Sequence, residues 1–422
     1  MRNMGLLRIR FSKLGACAIA GTLAIVLTLI QSVQAQTYQV IYNFTNGTGG
    51  YYPAAGVVFD RAGNLYGTTA LGGTGSDNGG VFQLKPRNGD WVFDPIYSFA
   101  GYPDGFDSSA PVTIGPNGTL YGAAFGGGAH DEGAIFNVTI PPTPCKTTLC
   151  TWRETLPYSF NYTDGAAPQS AITFDEEGNI YGAEPAGGNS GCMEGCGVVF
   201  KLTPSNGSYT ETYYAFTGGS DGGNPLGAIL LGSNGNLYGT TLYGGTYGYG
   251  TVFELTPSGS GWTETTIHNF QASTEGYSAF AGLVADQAGN LYGATCYGGP
   301  NSTGSVFELT PSNGGWTFTL LYAFPGHGNG GPFSNLVLAN GNLYGATLAD
   351  GTDAYGSVFE LSPSNGGWTY TSLYNFTGGS DGGIPYGSVA FDANGNLFGT
   401  TSRGGRYTNC DPGCGVVWEI MP

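Results

Sequence analysis

The chain has 422 residues, among them 77 Gly, 28 Tyr and 24 Phe, and only 10% are charged. Its formal net charge of −17 excludes the basic footprint of a nucleic-acid or anionic-lipid binder. That charge is unevenly spread: the first 35 residues hold four of the twelve basic residues and none of the 29 acids.

Arg2, Arg8, Arg10 and Lys13 precede an apolar run over 14–30, and Val33-Gln34-Ala35 is a small-x-small cleavage site. This is the plan of a secretory signal peptide cleaved after Ala35. The apolar run is short for a membrane span. The expected organisation is a signal peptide at 1–35 and one domain over 36–422. The mature product is expected to be monomeric, without a membrane span, in the periplasm or outside the cell. With eight basic residues against 29 acids it carries −21. Such a surface suits solubility, and it could also attract cations or a basic partner.

The mature chain reads as a tandem repeat. Gly63-Asn64-Leu65-Tyr66-Gly67-Thr68-Thr69 recurs at 118–124, 178–184, 235–241, 289–295, 341–347 and 395–401. A period of this size decides the fold before any other signal. Each repeat reads as four short strands joined by Gly, Asn, Asp and Pro turns. In the fourth repeat strand a is expected over 226–231, strand b over 236–242, strand c over 251–256 and strand d over 262–270, with a c–d turn at 257–261. Strand d alternates most clearly: Trp316, Phe318, Leu320, Tyr322 and Phe324 share one face.

Seven four-stranded units point to an all-β, seven-bladed β-propeller. The first mature residues, 38–44, read as a strand d, and the last, 415–420, as a strand c. The N-terminal strand is therefore expected to complete the last blade and remove the open edges.

The run LYGTT, then Gly-x-Val-Phe-x-Leu as in 250–255, then Thr-Pro-Ser, Trp-Thr and Leu-Tyr-x-Phe, resembles the GloVer tandem repeat over essentially the whole mature chain. The a–b–c part is also similar to NHL-type propeller repeats. The GloVer resemblance implies an exported or surface repeat protein with a choice of anchor, and it brings no catalytic residues. The sequence stops at Pro422, two residues past the last expected strand and without a hydrophobic tail, which departs from the anchoring half of the family description.

Seven cysteines follow the signal peptide, six of them as near neighbours. In an exported protein Cys145–Cys150, Cys192–Cys196 and Cys410–Cys414 are expected as local disulfides. Their spacings do not suit zinc. Cys296 is left over at a repeat position held elsewhere by Ala70, Leu242 and Leu348, where a packed thiol is expected.

The b–c and d–a loops of a propeller emerge on one face, which gathers two sets of candidates. The acidic set is Asp104, Asp164, Asp221, Glu275 and Asp381, each four or five residues after the strand-d Phe. It could ring the channel mouth and hold Ca²⁺ or a polyol; the plainer reading is that each acid closes its own turn. Asn329 breaks the series. The aromatic set is Phe125, Tyr243, Tyr247, Tyr249, Tyr297, Tyr355 and Tyr407. Such rings can stack on sugar faces, or pack on neighbouring loops. His268 reads as a packed strand residue; His130 and His327 lie on loops.

The first functional reading is a secreted, non-enzymatic propeller that binds glycan or protein ligands on its loop face, with no cofactor beyond Ca²⁺. The alternatives are a polysaccharide-acting enzyme using acidic loop residues and a structural surface or matrix protein.

Overall fold

The structure is a computed structural model that describes residues 36–74, 77–139, 152–326, 330–407 and 409–422. The expected signal peptide at 1–35 and the expected pair Cys145–Cys150 lie outside these residues, as do His327 and Asn329. The chain divides into two compact units, Tyr38–Met421 and the remainder. The larger unit is the propeller. Seven four-stranded sheets follow one another in sequence, and neighbouring strands run antiparallel.

Blade 4 shows the pattern, with strand a at Leu230–Leu231, b at Leu237–Thr240, c at Thr251–Ser258 and d at Gly261–Asn269. Strands b and d shift by one or two residues from the sequence reading, and the differences in strands a and c each have a structural reason. Strand a is only two residues long, because 226–228 runs along the central channel instead of pairing. Strand c runs on through Pro257 to Ser258, which pairs with Gly261, leaving a two-residue c–d turn. A proline is tolerated there because the b–c ladder has already ended at Leu237 opposite Leu255.

The ring closes as the repeat phase requires. Thr37–Asn43 lies beside Val416–Met421 as the fourth strand of blade 7. The Phe44 N–H extends this ladder to the Gly415 carbonyl at 3.1 Å. Tyr38 stacks on Tyr374 of blade 6, with ring centroids 3.8 Å apart.

One packing unit repeats at every seam. The glycine in the middle of strand b lies under the strand-c aromatic ring of its own blade. A Cβ on Gly239 would stand 2.5 Å from Phe253 Cζ, and one on Gly67 would stand 2.5 Å from Phe82 Cζ. Gly399 meets Trp418 in the same way. The strand-c ring is covered from the other side by the Phe that ends strand d of the preceding blade. Phe216 meets Phe253 with centroids 5.0 Å apart, Phe270 meets Phe307 at 5.3 Å and Phe376 meets Trp418 at 5.9 Å. These rings are buried, and their edge-to-face contacts add to the area they remove from water.

The other recurring glycine of the motif answers to a different constraint. Gly235, in the a–b turn, has φ +81° and almost open space around it, so backbone conformation alone selects it.

Gly239→Ala should cost about 1–3 kcal/mol by overpacking, read as a lower urea midpoint. Phe253→Leu in the same chain should return part of the loss by making room. Removal of residues 36–44 should cost more, at least ~3 kcal/mol, since a whole strand leaves blade 7. An unchanged midpoint after that deletion would contradict the closure.

Candidate functional site: the channel mouth and its aromatic rim

The segment before each strand a decides what faces the channel. In blades 1, 3, 4 and 7 it begins with a hook, a non-glycine residue held at positive φ whose N–H reaches the loop of the preceding blade. Tyr52 (φ 59°) donates to Cys414 O, Ala167 (φ 59°) to Glu132 O, Asn224 (φ 55°) to Cys196 O and Ile384 (φ 56°) to Tyr355 O. Pro53, Pro168, Pro225 and Pro385 follow these residues. The next residues are small where neighbouring blades nearly touch: a Cβ on Gly227 would stand 2.5 Å from Gly282 N, and one on Gly387 2.3 Å from Gly56 N.

Two residues after the hook, or after the equivalent position in the other blades, one side chain per blade enters the channel. In order these are Ala54, Ser109, Gln169, Leu226, Phe280, Phe333 and Tyr386. With Tyr52 and Asn335 they line a cavity of about 300 Å³ that contains no carboxylate. Its wall is two-sided: blades 5, 6 and 7, with Tyr52 of blade 1, supply aromatic rings, while Ala54, Ser109, Gln169 and Leu226 of blades 1 to 4 supply smaller or polar side chains. Ser334 Oγ is buried in this wall without a hydrogen-bond partner. A larger hollow of about 930 Å³ lies at the opposite end, where Asp175, Glu176, Lys201 and Trp262 of blades 3 and 4 meet.

The aromatic side of the cavity continues outward as an unbroken run of rings. Phe280 stacks on Phe333 at 4.3 Å, and Phe333 meets Tyr386 edge-on at 5.1 Å. Tyr386 faces Tyr52 at 6.3 Å. In the other direction Phe280 meets Tyr297 at 6.3 Å, Tyr297 meets Tyr277 at 5.8 Å and Tyr277 meets Tyr249 at 5.6 Å. The run crosses from the rim of blade 4 to the channel mouth at blade 1. Burial pushes the Tyr386 hydroxyl up to about 12, helped by Tyr52, while the Arg403 charge pulls it back.

The loop candidates divide accordingly. Tyr249 and Tyr297 belong to this run. Tyr243, Tyr247, Tyr355 and Tyr407 are exposed on the b–c loops, as is Phe125. The b–c and d–a loops do share one face, bridged at Gly223–Tyr243 and Tyr277–Tyr297. Sequence reasoning missed Tyr52, Tyr277, Phe280, Phe333 and Tyr386, although the variable residue after the hook was a usable signal.

The acidic set is placed elsewhere, in the turns after strand d. Asp221 Oδ2 accepts the Thr217 N–H at 2.8 Å and the Tyr214 hydroxyl at 3.2 Å, and Oδ1 accepts the Thr217 hydroxyl. Asp381 repeats this with Thr377 and Tyr374. Asp104 accepts from Ala100 N and Tyr97, and Asp164 from Asn161 N and Tyr158. Glu275 binds His268 at 2.9 Å and the Gln271 N–H at 3.0 Å. His268 also stacks on Phe318. None of these acids lines the cavity. Among the described residues no group of His, Cys, Asp and Glu is arranged to hold a metal ion.

Cys192–Cys196 and Cys410–Cys414 are disulfides with Cα atoms 5.0 Å apart. Each closes the loop whose last cysteine carbonyl receives a hook, from Asn224 and Tyr52 respectively. Cys296 is free and buried, and burial pushes its thiol up to about 12. No helix among the described residues is long and apolar enough to cross a membrane.

The Gloeobacter/Verrucomicrobia repeat family matches residues 28–194 and 189–412, most of the chain. The protein belongs to this family. No curated protein matches it. Solved structures similar to this Gloeobacter/Verrucomicrobia repeat protein include an assigned glucose dehydrogenase from Thermus thermophilus, 15% identical, with 92% of this chain and 100% of that one covered and a TM-score of 0.39. An assigned 6-phosphogluconolactonase from Bacteroides uniformis is 12% identical over 77% and 85% of the two chains, with a TM-score of 0.49. A protein of unknown function from Dyadobacter fermentans is 11% identical over 92% and 99%, at 0.46. At these levels none of them bears on activity.

Three seams hold carboxyl pairs where the others stack rings. Phe93, Phe318 and Tyr370 stack on Tyr42, His268 and Tyr322 of the preceding blade. The corresponding residues of blades 2, 3 and 4 are Glu154, Glu211 and Glu264. The Tyr158 hydroxyl lies 2.9 Å from Asp164 Oδ2 and 2.8 Å from Glu211 Oε2, so its one proton goes to one carboxyl while the other, when protonated, can donate to it. Burial pushes Glu211 up to about 8; Tyr158 pulls against this and Asp164 adds to it. Burial and Asp104 push Glu154 up to about 7. Glu184 is fully buried beside this group with neither oxygen partnered, and burial, Glu211 and Asp164 hold it well above the carboxylate range.

A carboxyl whose folded pKa exceeds its unfolded value stabilises fully below the unfolded pKa and loses that contribution as pH rises towards the folded one. These seams should therefore weaken between about pH 4.3, the unfolded value, and about pH 7–8, where Glu154 and Glu211 titrate. The turn acids Asp60, Asp175 and Asp286 act in the opposite sense: burial opposes their ionisation, but hydrogen bonds from Asn64, Asn179 and Asn290 lower them. Their contribution is lost only below about pH 4. Thermal melts should give a higher Tm at pH 5 than at pH 9, and Glu211→Gln should flatten that slope. A Tm that rises from pH 5 to 9 would contradict the assignment.

Proposed function

We propose that the protein is an exported, non-enzymatic propeller that binds a glycan through its loop face. The observation that carries this reading is the run of rings from Tyr249 to Tyr52, which passes over the loop face and into the channel mouth. Flat rings at this spacing suit the apolar faces of successive sugars, and the serines and amides of the cavity suit hydroxyl groups. The carboxyls with raised pKa stand between blades, and the cavity wall holds none, which favours binding over hydrolysis. Export rests on the N-terminal segment, and the two disulfides suit an oxidising compartment.

Glycan-array screening of the mature protein should find a carbohydrate ligand. Phe280→Ala with Phe333→Ala should then weaken it by about 1–3 kcal/mol in total, the usual loss for aromatic anchors. The triple change of Tyr243, Tyr247 and Tyr249 to Ala should have a comparable effect without loss of fold. Asp221→Asn and Asp381→Asn should act on stability more than on binding. Essential aspartates with silent aromatic variants would overturn the reading.

A further inference from the structure

We infer that the Tyr52–Tyr386–Arg403 corner of the channel mouth is an anion subsite, and that the glycan bound there carries a carboxylate, as a uronic acid does. This deepens the binding reading above and rests on it.

The described basic residues are few and segregated. Arg61 lies in an a–b turn, Lys85 and Arg87 at the end of a strand c, Arg153 at the start of a strand d and Lys201 within a strand c. The two that remain, Arg403 and Arg406, belong to the loop face, and both stand in the b–c loop of blade 7.

Arg403 occupies the rim position held by Tyr243 and Tyr297 in blades 4 and 5. All three bridge to the loop that leads into their own strand a, through Gly383, Gly223 and Tyr277 respectively. The bridge sets Arg403 beside Tyr386, whose hydroxyl feels its charge. In a strongly acidic chain this guanidinium has no ion pair among the described residues. Its Nε is shielded from water and donates to nothing. The residue as a whole is only half-buried, so a carboxylate bound at its accessible edge would give the guanidinium the charged partner it lacks.

The loop that carries Arg403 is tied down at three points. The Cys410–Cys414 disulfide closes it, Cys414 O receives the Tyr52 hook at 3.1 Å, and the Arg406 N–H is held by Asn43 Oδ1 at 2.8 Å. The charge is thus fixed at the end of the aromatic run. A sugar stacked on Phe333 and Tyr386 would have its substituents within the field of Arg403. A peptide carboxylate would meet the same charge but would not use a series of flat rings.

The test is calorimetric titration of the mature protein with trimeric uronates: galacturonate, mannuronate, guluronate and a glucuronate-containing trimer. The methyl ester of each is the control, since it keeps the sugar faces and removes the charge. At least one acid should bind about tenfold or more tightly than its ester, and rising NaCl should weaken the acid alone. Arg403→Gln should remove the difference, and Arg403→Lys should restore part of it. Equal binding of acid and ester, or an acid affinity untouched by Arg403→Gln in a chain with wild-type melting, would overturn the inference. If only neutral glycans bind, the inference fails and the glycan reading survives. If no glycan binds at all, both fail.

Discussion

The whole ring depends on a close approach of ring to backbone within each blade. The tip of the strand-c aromatic ring sits over the strand-b glycine, at a distance that leaves no room for a Cβ. Its far side is then free to take the Phe ending the preceding strand d. One glycine therefore sets the thickness of a blade and its spacing from the next. Seven such units have to close on themselves, so an error in that spacing would accumulate around the ring. The constraint explains why the middle of the Leu-Tyr-Gly-Thr motif is glycine, although its backbone there is ordinary extended chain. The aromatic position holds Trp418 in blade 7, whose six-membered ring takes the same place over Gly399.

The hooks turn this packing into a defined inner surface. Each sets a non-glycine residue in the left-handed region, which costs energy unless the surroundings hold it. The holding group is a carbonyl on the preceding blade, reinforced in blades 3 and 7 by a disulfide. The segment that follows has little freedom, and its one outward-facing side chain per blade is delivered to the channel. Loop-borne groups on a rigid scaffold are the usual basis of a binding face.

Most of the architecture was legible in the sequence because the signal was repeated. Glycine turns, the two-residue alternation of strand d and the phase of the ends were enough for seven closed blades. The local cysteine pairs at 192–196 and 410–414 followed from their shared repeat position. The site was less legible. Phe280, Phe333 and Tyr386 look like the first residues of ordinary strands, and only the hook geometry shows that the chain is not yet paired there. Tyr249 and Tyr297 were visible as loop aromatics, but their continuity with the channel depends on Tyr277, whose place is set by a bridge between two loops. For the recurring acids the plainer of the two sequence readings, closure of each turn, fits the bonds they make, to their own turns and to the strand-d residues Tyr97, Tyr158, Tyr214, His268 and Tyr374.

What distinguishes the blades is confined to a few positions that the packing unit does not use. The residue two after the hook ranges from Ala54 to Tyr386, the first rim residue from Leu71 to Arg403, and the strand-d position at the outer seam from Phe93 to Glu211. A change at any of these leaves the glycine–aromatic contact intact, so it can be made in one blade without disturbing the ring. The aromatic wall in blades 5 to 7, the single rim guanidinium and the carboxyl seams in blades 2 to 4 are three such local departures. The first two meet at the channel mouth. The third is set between blades, where burial makes its charge state a matter of stability. The repeat thus separates what holds the ring from what the ring can recognise, and a ligand is best sought where the repeats differ.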